Sequence, residues 1–215
     1  MNGLLKLYNT LADSVKQHSE RVSACAVIMS KYAMPVMQAE YELSAEELTG
    51  AVRVGCLYHD IGKLFYPPMV IVSNAAEAHE NNAARLRSHT LDGHRKIEKY
   101  GKPLFGKDGP YIRVVEDIVR CHHEWCDGSG QPLGLCSKDI PSAASLCAVV
   151  NEFDRLYSAY VVKGNDNFEF VEALTQSQIG RCFTPQAVGW FDAARDELAT
   201  FYAAQYQKIG CLQCS

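Results

Sequence analysis

Apolar positions in this chain recur at helical spacing almost throughout. Across residues 4–33, Leu11, Val15, Val22, Cys25, Ala26 and Met29 fall close to an i, i+3, i+4, i+7 pattern and predict an amphipathic helix. Pro35 predicts its end, because proline has no N–H to donate and its ring clashes with the preceding turn. Ser44-Ala45-Glu46-Glu47 reads as a capping box, so a helix starting at Ser44 runs toward His59, and Pro67-Pro68 closes that region. Residues 75–100 predict two helical pieces hinged near Ser88, and LFGKDGP (104–110) predicts a loop. A helix follows from Ile112 to about Glu124, with Val115, Ile118 and Val119 as its apolar stripe. After a loop from Pro132 to Pro141, Pro141 fits the first turn of a helix that turns Leu146, Val149, Val150, Phe153 and Leu156 inward. KGNDN (163–167) predicts a turn, and Thr184-Pro185 opens a last helix through Trp190, Phe191 and Leu198. No strand alternation, repeat or low-complexity tract is present, so the expected fold class is all-α: one helical bundle over residues 1–215, with a tail from about 205.

Composition narrows the function classes. The 215 residues are 47% hydrophobic, enough for one sizeable core. A net charge of −4 with no long basic run argues against DNA or RNA as a partner, though a small anionic substrate needs only a local positive site. No apolar run approaches a membrane span, and MNGLLKLYNTLADSVK has no signal-peptide core, so the expected location is cytoplasmic. Nine cysteines at irregular spacings predict mostly buried, reduced thiols; Cys211 and Cys214 form a CxxC, a weak zinc or redox signal at the tail.

The chemistry lies in the seven histidines, at positions 18, 59, 79, 89, 94, 122 and 123. His59-Asp60 puts an imidazole and a carboxylate in one small volume, and a carboxylate can bridge two ions about 3.5–4 Å apart. Lys63, one turn on, can bring an ammonium to phosphate oxygens. Residues 121–134 read CHHEWCDGSGQPLG, a histidine pair followed by a tight glycine turn. Each piece alone has a bland reading, as a surface or hydrogen-bonded core histidine. Together with His18 in QHSERV, His89 in SHTLDG and the NEFD segment 151–154, they sit on separate helical segments, which is how bundles build metal sites. His79 and His94 read as solvated surface residues, and Trp125 and Trp190 as core or site walls.

HDIGK, preceded by His18 and followed by HTLDG and HHEWCDGSGQP, resembles the HD-GYP subfamily of the HD phosphohydrolase superfamily over about residues 10–195, including QPLGL and Phe183-Thr184-Pro185. The resemblance implies a helical bundle with a two- or three-metal site that hydrolyses cyclic di-GMP or a related cyclic dinucleotide. Position by position, His18, His59, Asp60, His89, His122 and His123 match the family's metal ligands, with Asn151 at the last ligand position. Lys63 matches the lysine that contacts the scissile phosphate, so Asp60 and Lys63 are the expected catalytic residues. Asp127, Gly128 and Gly130 match the turn beside the site, and Lys63, Asp127, Gly130 and Lys163 are the expected substrate-side residues. Glu124 is expected to be a structural partner rather than a ligand.

The departures from the pattern carry as much information. Gln131 replaces the family's tyrosine, giving GQP. Asn151 replaces its last metal-binding aspartate, which removes one negative charge from a dication site; Asp154 stands one turn away. AYVVKG, with Tyr160 and Lys163, replaces the family's Arg-Pro-Tyr-Arg, and Ser14 replaces the acid of trinuclear members, which predicts two divalent ions. A site of imidazole and carboxylate suits iron or manganese, with zinc, nickel or magnesium as alternatives. Two readings follow: a phosphodiesterase acting on a cyclic dinucleotide or another nucleotide, and a non-catalytic module that binds a nucleotide or a signalling protein.

Overall fold

The computed structural model describes residues 3–65, 80–162 and 167–212, with the side chains of 65, 80–87, 162 and 207–212 outside the description. Pro67, Pro68, His79, Lys163 and Cys214 lie outside the described residues, as does most of KGNDN. In chain order the helices are α1 (Gly3–Asn9), α2 (Asp13–Tyr41), α3 (Ala45–Tyr58), α4 (Glu80–Lys96), α5 (Lys102–Phe105), α6 (Pro110–Cys121), α7 (Ser142–Val162), α8 (Phe168–Gln176), α9 (Pro185–Ala193) and α10 (Arg195–Leu212). A 3-10 turn (Ile61–Phe65) follows α3, and a π-helical turn (Ile97–Gly101) joins α4 to α5. Among the described residues there is no strand, only two isolated bridges, and no helix is long and apolar enough to cross a membrane. The fold is all-α, as the periodicity predicts.

The long helix α2 packs on α3 and α7, α3 packs on α6, and α4 lies against the 3-10 turn and α6. One buried cluster runs from Leu4 through Met29, Leu48, Ile118 and Phe153 to Tyr202. Cys25, Cys56, Cys121, Cys147 and Cys182 are buried free thiols, in line with the cysteine reading. Ser44 starts α3 as expected: its side chain accepts from Glu47 N–H, and the Glu47 carboxylate accepts from Ser44 N–H.

Four boundaries differ from the sequence reading. Helix α2 runs through Pro35 to Tyr41, because Met37 and Tyr41 beyond it are buried and the Tyr41 hydroxyl donates to Asp117. That burial outweighs the roughly 3 kcal/mol cost of an interior proline. Helix α4 is continuous through Ser88, and α5 takes up Leu104 and Phe105 from the expected loop. The expected last helix divides at Ala194, whose N–H closes the final turn of α9. Helix α8 was not foreseen; Asn167 caps it by accepting from Phe170 N–H, and Val171 and Thr175, one turn apart, are buried.

Candidate metal centre

The site forms where helices end. His59 follows the last residue of α3 and His122 the last residue of α6, while His18 comes from α2, His89 from α4 and Asn151 from α7. Two glycines let these elements meet. A methyl at Gly62 would stand 1.8 Å from the His89 carbonyl oxygen and 2.8 Å from Gly93 N. A methyl at Gly93 would stand 2.9 Å from Val119. The turn after His59-Asp60 therefore crosses α4 backbone to backbone, which sets Asp60 beside His89.

Two triads result. The ligand atoms of His18, His59 and Asp60 lie within 4.8 Å of one another, and so do those of His89, His122 and His123. Asp60 faces both. Its Oδ2 lies 3.4 Å from His59 Nε2 and 4.0 Å from His18 Nε2; its Oδ1 lies 3.4 Å from His89 Nε2 and 3.9 Å from His122 Nε2. Backbone carbonyls fix two of the rings. His59 Nδ1–H donates to Cys56 O at 2.7 Å and His122 Nδ1–H to Ile118 O at 3.0 Å, so both Nε2 lone pairs point inward.

The residues fit divalent cations. His59 Nε2, His123 Nε2 and Asp60 Oδ1 are buried and have no hydrogen-bond partner among the described residues, which is costly unless an ion supplies the contact. His89 Nε2 and His122 Nε2 meet at 3.4 Å, two ring nitrogens that a shared cation would reconcile. Burial, with the neighbouring imidazoles, pushes His122 and His123 well below the ordinary histidine range, leaving both neutral and able to ligate. Burial alone would raise the Asp60 carboxyl, but the Lys63 ammonium with His59 and His89 holds it well below the usual carboxylate range. Burial pulls His59 down and the Asp60 carboxylate overrides it, lifting His59 to about 9; a cation at Nε2 would take that proton's place.

The mouth lies on the side of His18, Lys63 and His123, which are partly exposed, whereas His59, His89 and His122 are sealed in. Lys63 Nζ donates to Asp60 Oδ2 at 2.7 Å. Asn151 is buried with its Oδ1 2.9 Å from His18 Nε2. Asp154 joins neither triad but lies beneath His18, where it is bound to His18 Nδ1 and Arg21.

The glycine turn is held from below by Glu124. This buried carboxylate accepts from Leu133 N at 2.6 Å and Leu135 N at 2.8 Å, a loop-building role rather than a ligand's. Gln131 N–H donates back to His123 O. Gly130 leaves no room for a side chain, since a methyl there would stand 2.1 Å from Trp125 N. Gly128 has φ +82°, the left-handed conformation. The Asp127 carboxylate accepts from Ser129 N and Oγ at the surface. The Arg181 guanidinium lies over Trp125, while Trp190 is buried in the core. His94 is half-buried rather than fully solvated, between Glu98 (3.7 Å) and Glu116 (3.9 Å), where Lys102 already meets Glu116 at 3.3 Å.

Sequence reasoning named the residues that meet in the two triads but missed Gly62, Gly93 and Arg21. The glycines carried a usable signal, one in HDIGK and one in HTLDG, each a fixed step from a histidine.

The chain is similar to several known proteins. A "Probable cyclic di-GMP phosphodiesterase" of Vibrio cholerae is 34% identical over 62% of this chain and 30% of its own length. The cyclic di-GMP phosphodiesterase response regulator RpfG of Xanthomonas campestris is 30% identical over 83% of this chain and 44% of its own. The chain thus spans less than half the length of these curated relatives. An HDG"Y"P protein from Bdellovibrio bacteriovorus shares the fold with a TM-score of 0.60 at 20% identity, over 87% of this chain and 52% of that one. The model of the HD domain matches residues 7–177, a range that contains both triads, Lys63 and the glycine turn. With its histidines and Asp60 brought together in the core of a helical fold, this chain belongs to the HD domain family.

Proposed function

We propose that this chain is a metal-dependent phosphodiesterase that opens a cyclic dinucleotide such as cyclic di-GMP. The observation that carries the reading is Asp60, a buried carboxylate whose two oxygens face two separate histidine clusters. His18, His59 and Asp60, with Asn151 alongside, would hold one divalent ion, and His89, His122, His123 and Asp60 the other. Two such ions, iron or manganese by donor type, would supply Lewis-acid polarisation of the phosphate and lower the pKa of a water.

The chain's own residues do the rest. Lys63, partly exposed beside Asp60, offers its ammonium to a nonbridging phosphate oxygen as negative charge develops there. The buried rings of His59, His89 and His122 keep bulk water from the reacting phosphate and raise the strength of every charge interaction around it. The turn containing Asp127 and Gly130, tied to His123 through Gln131, borders the substrate. Lys163 would add a cation on the substrate side; it lies outside the described residues, and its role rests on the sequence alone. Relatives that carry the name cyclic di-GMP phosphodiesterase support the substrate class. The composition and the lack, among the described residues, of a membrane-spanning helix support a cytoplasmic setting.

Asn151 favours a second reading. A neutral amide 2.9 Å from His18 Nε2 leaves Asp60 as the one carboxylate among the matched ligands, which weakens ion binding. The chain would then act as a regulatory module that binds a nucleotide or a signalling protein. Anaerobically purified protein, loaded with iron or manganese and given a panel of cyclic dinucleotides, separates the two. Linear product that vanishes in His59→Ala and Asp60→Ala supports the enzyme. Silence in the wild type with product from Asn151→Asp supports the module. Silence in both overturns the cyclic-dinucleotide reading.

A further inference from the structure

Beneath His18 lies a buried carboxylate that belongs to neither triad. Asp154, on α7, is fully buried. It accepts from His18 Nδ1–H at 2.7 Å, Arg21 Nε at 2.7 Å, Arg21 Nη2 at 2.8 Å and the Tyr202 hydroxyl at 2.9 Å. The Arg21 guanidinium sits on both Asp154 oxygens and supplies a compensating charge for the burial of the carboxylate. Arg21 also reaches Ser158 Oγ at 3.0 Å, and Ser158 shares a hydrogen bond of 2.9 Å with the Tyr206 hydroxyl.

The carboxylate decides what His18 can do. With Nδ1 donating to Asp154, Nε2 faces Asn151 Oδ1 at 2.9 Å and Asp60 Oδ2 at 4.0 Å, acceptors that a cation between them and the ring nitrogen would reconcile. Tyr202 and Tyr206 come from α10, beyond the residues 7–177 that the family model covers. The Tyr202 hydroxyl shares Asp154 Oδ1 with Arg21 Nε; without it, one donor remains on that oxygen and the carboxylate is freer to rotate away from His18.

We propose that Tyr202 is a positioning residue for the metal centre: through Asp154, helix α10 holds His18 in the tautomer that presents Nε2 to a cation. Its consequence for metal binding rests on the reading above; its hydrogen-bond content does not. Docking of the C-terminal helix is thereby coupled directly to the triad of His18, and reaches the other triad through Asp60, since among the described residues the hydrogen bonds of Tyr202 and Asp154 go to His18 and Arg21 and to none of His89, His122 and His123.

Tyr202→Phe tests it. The ring stays packed on Phe153 (5.1 Å) and Tyr157 (4.7 Å), and only the hydroxyl is lost. Glu197→Gln is the control, because Glu197 ties α10 to Lys31 and Tyr32 of α2 far from Asp154. Two readouts are taken: the nitrogen NMR shifts of His18 in metal-free protein, and manganese affinity by chelator competition. Tyr202→Phe is expected to move His18 from one tautomer to a mixture and to weaken one manganese equivalent by about tenfold, leaving the other unchanged. Glu197→Gln is expected to move neither readout. Unchanged His18 shifts in Tyr202→Phe, or a loss shared by both equivalents and matched by Glu197→Gln, overturns the proposal. A wild type that binds no manganese refutes the metal reading by itself, and the His18 shifts then still decide the positioning role.

Discussion

Gly62→Ala is the smallest change that should take the site apart. The added methyl would stand 1.8 Å from His89 O and 2.7 Å from His89 C, with Gly93 N at 2.8 Å. All three are backbone atoms of α4, so no side chain can swing aside. Restoring an ordinary contact of 3.4 Å needs α4 and the turn to part by about 1.5 Å. A ligand constellation tolerates displacements of roughly 0.5 Å, so His89 would leave the reach of Asp60 Oδ1, now 3.4 Å away. The overpacking itself costs about 1–3 kcal/mol, which leaves a folded protein to measure. Metal affinity by chelator competition should fall by about 10- to 100-fold, with activity following it. Gly189→Ala is the matched control, because nothing lies within 4 Å of a methyl there. A Gly62→Ala protein with wild-type stability and wild-type metal affinity would refute the claim that the glycine crossing positions the site.

Three further outcomes follow from single contacts. Glu124→Ala strips the acceptor from two backbone N–H groups, Leu133 and Leu135, and should cost about 3 kcal/mol or more in urea unfolding, with Glu124→Gln losing less. Asp117 has its carboxyl pushed up to about 6 by burial, with Glu40 and Glu116 adding to it against the Tyr41 hydrogen bond and Arg113. Its folded pKa exceeds its unfolded one, so stability should fall as pH rises from about 4 to 6, by on the order of 2 kcal/mol, and Asp117→Asn should flatten that slope in denaturation curves taken across the window. Asn151→Asp adds a carboxylate beside His18 and should raise manganese affinity at one equivalent by at least about tenfold; calorimetric titration that finds no gain would place residue 151 outside the ligand set.

The chemistry was legible in the sequence because it depends on residue type. Imidazoles and one aspartate in a fixed order pick out the candidate donor set wherever the backbone carries them, and Ser44 and Thr184 marked helix starts through hydrogen bonds to residues three positions on. What escaped depends on distant partners. Pro35 looks like a terminator until Met37 and Tyr41 are seen buried beyond it. Asp154 stands one turn from Asn151 in the sequence, and nothing there shows that Arg21 and Tyr202, remote from it in the chain, occupy it. Helix α8 is short, and its register is set by the core that Val171 enters rather than by its own periodicity.

The proposed metal centre requires Asp60 to join two ions. Wild-type protein loaded with manganese should bind two equivalents per chain, and its electron paramagnetic resonance spectrum should show the exchange-coupled pattern of two ions sharing a bridge, about 3.5–4 Å apart. Asp60→Asn should abolish the coupling. One equivalent, or two equivalents giving only the spectrum of isolated manganese, would contradict it.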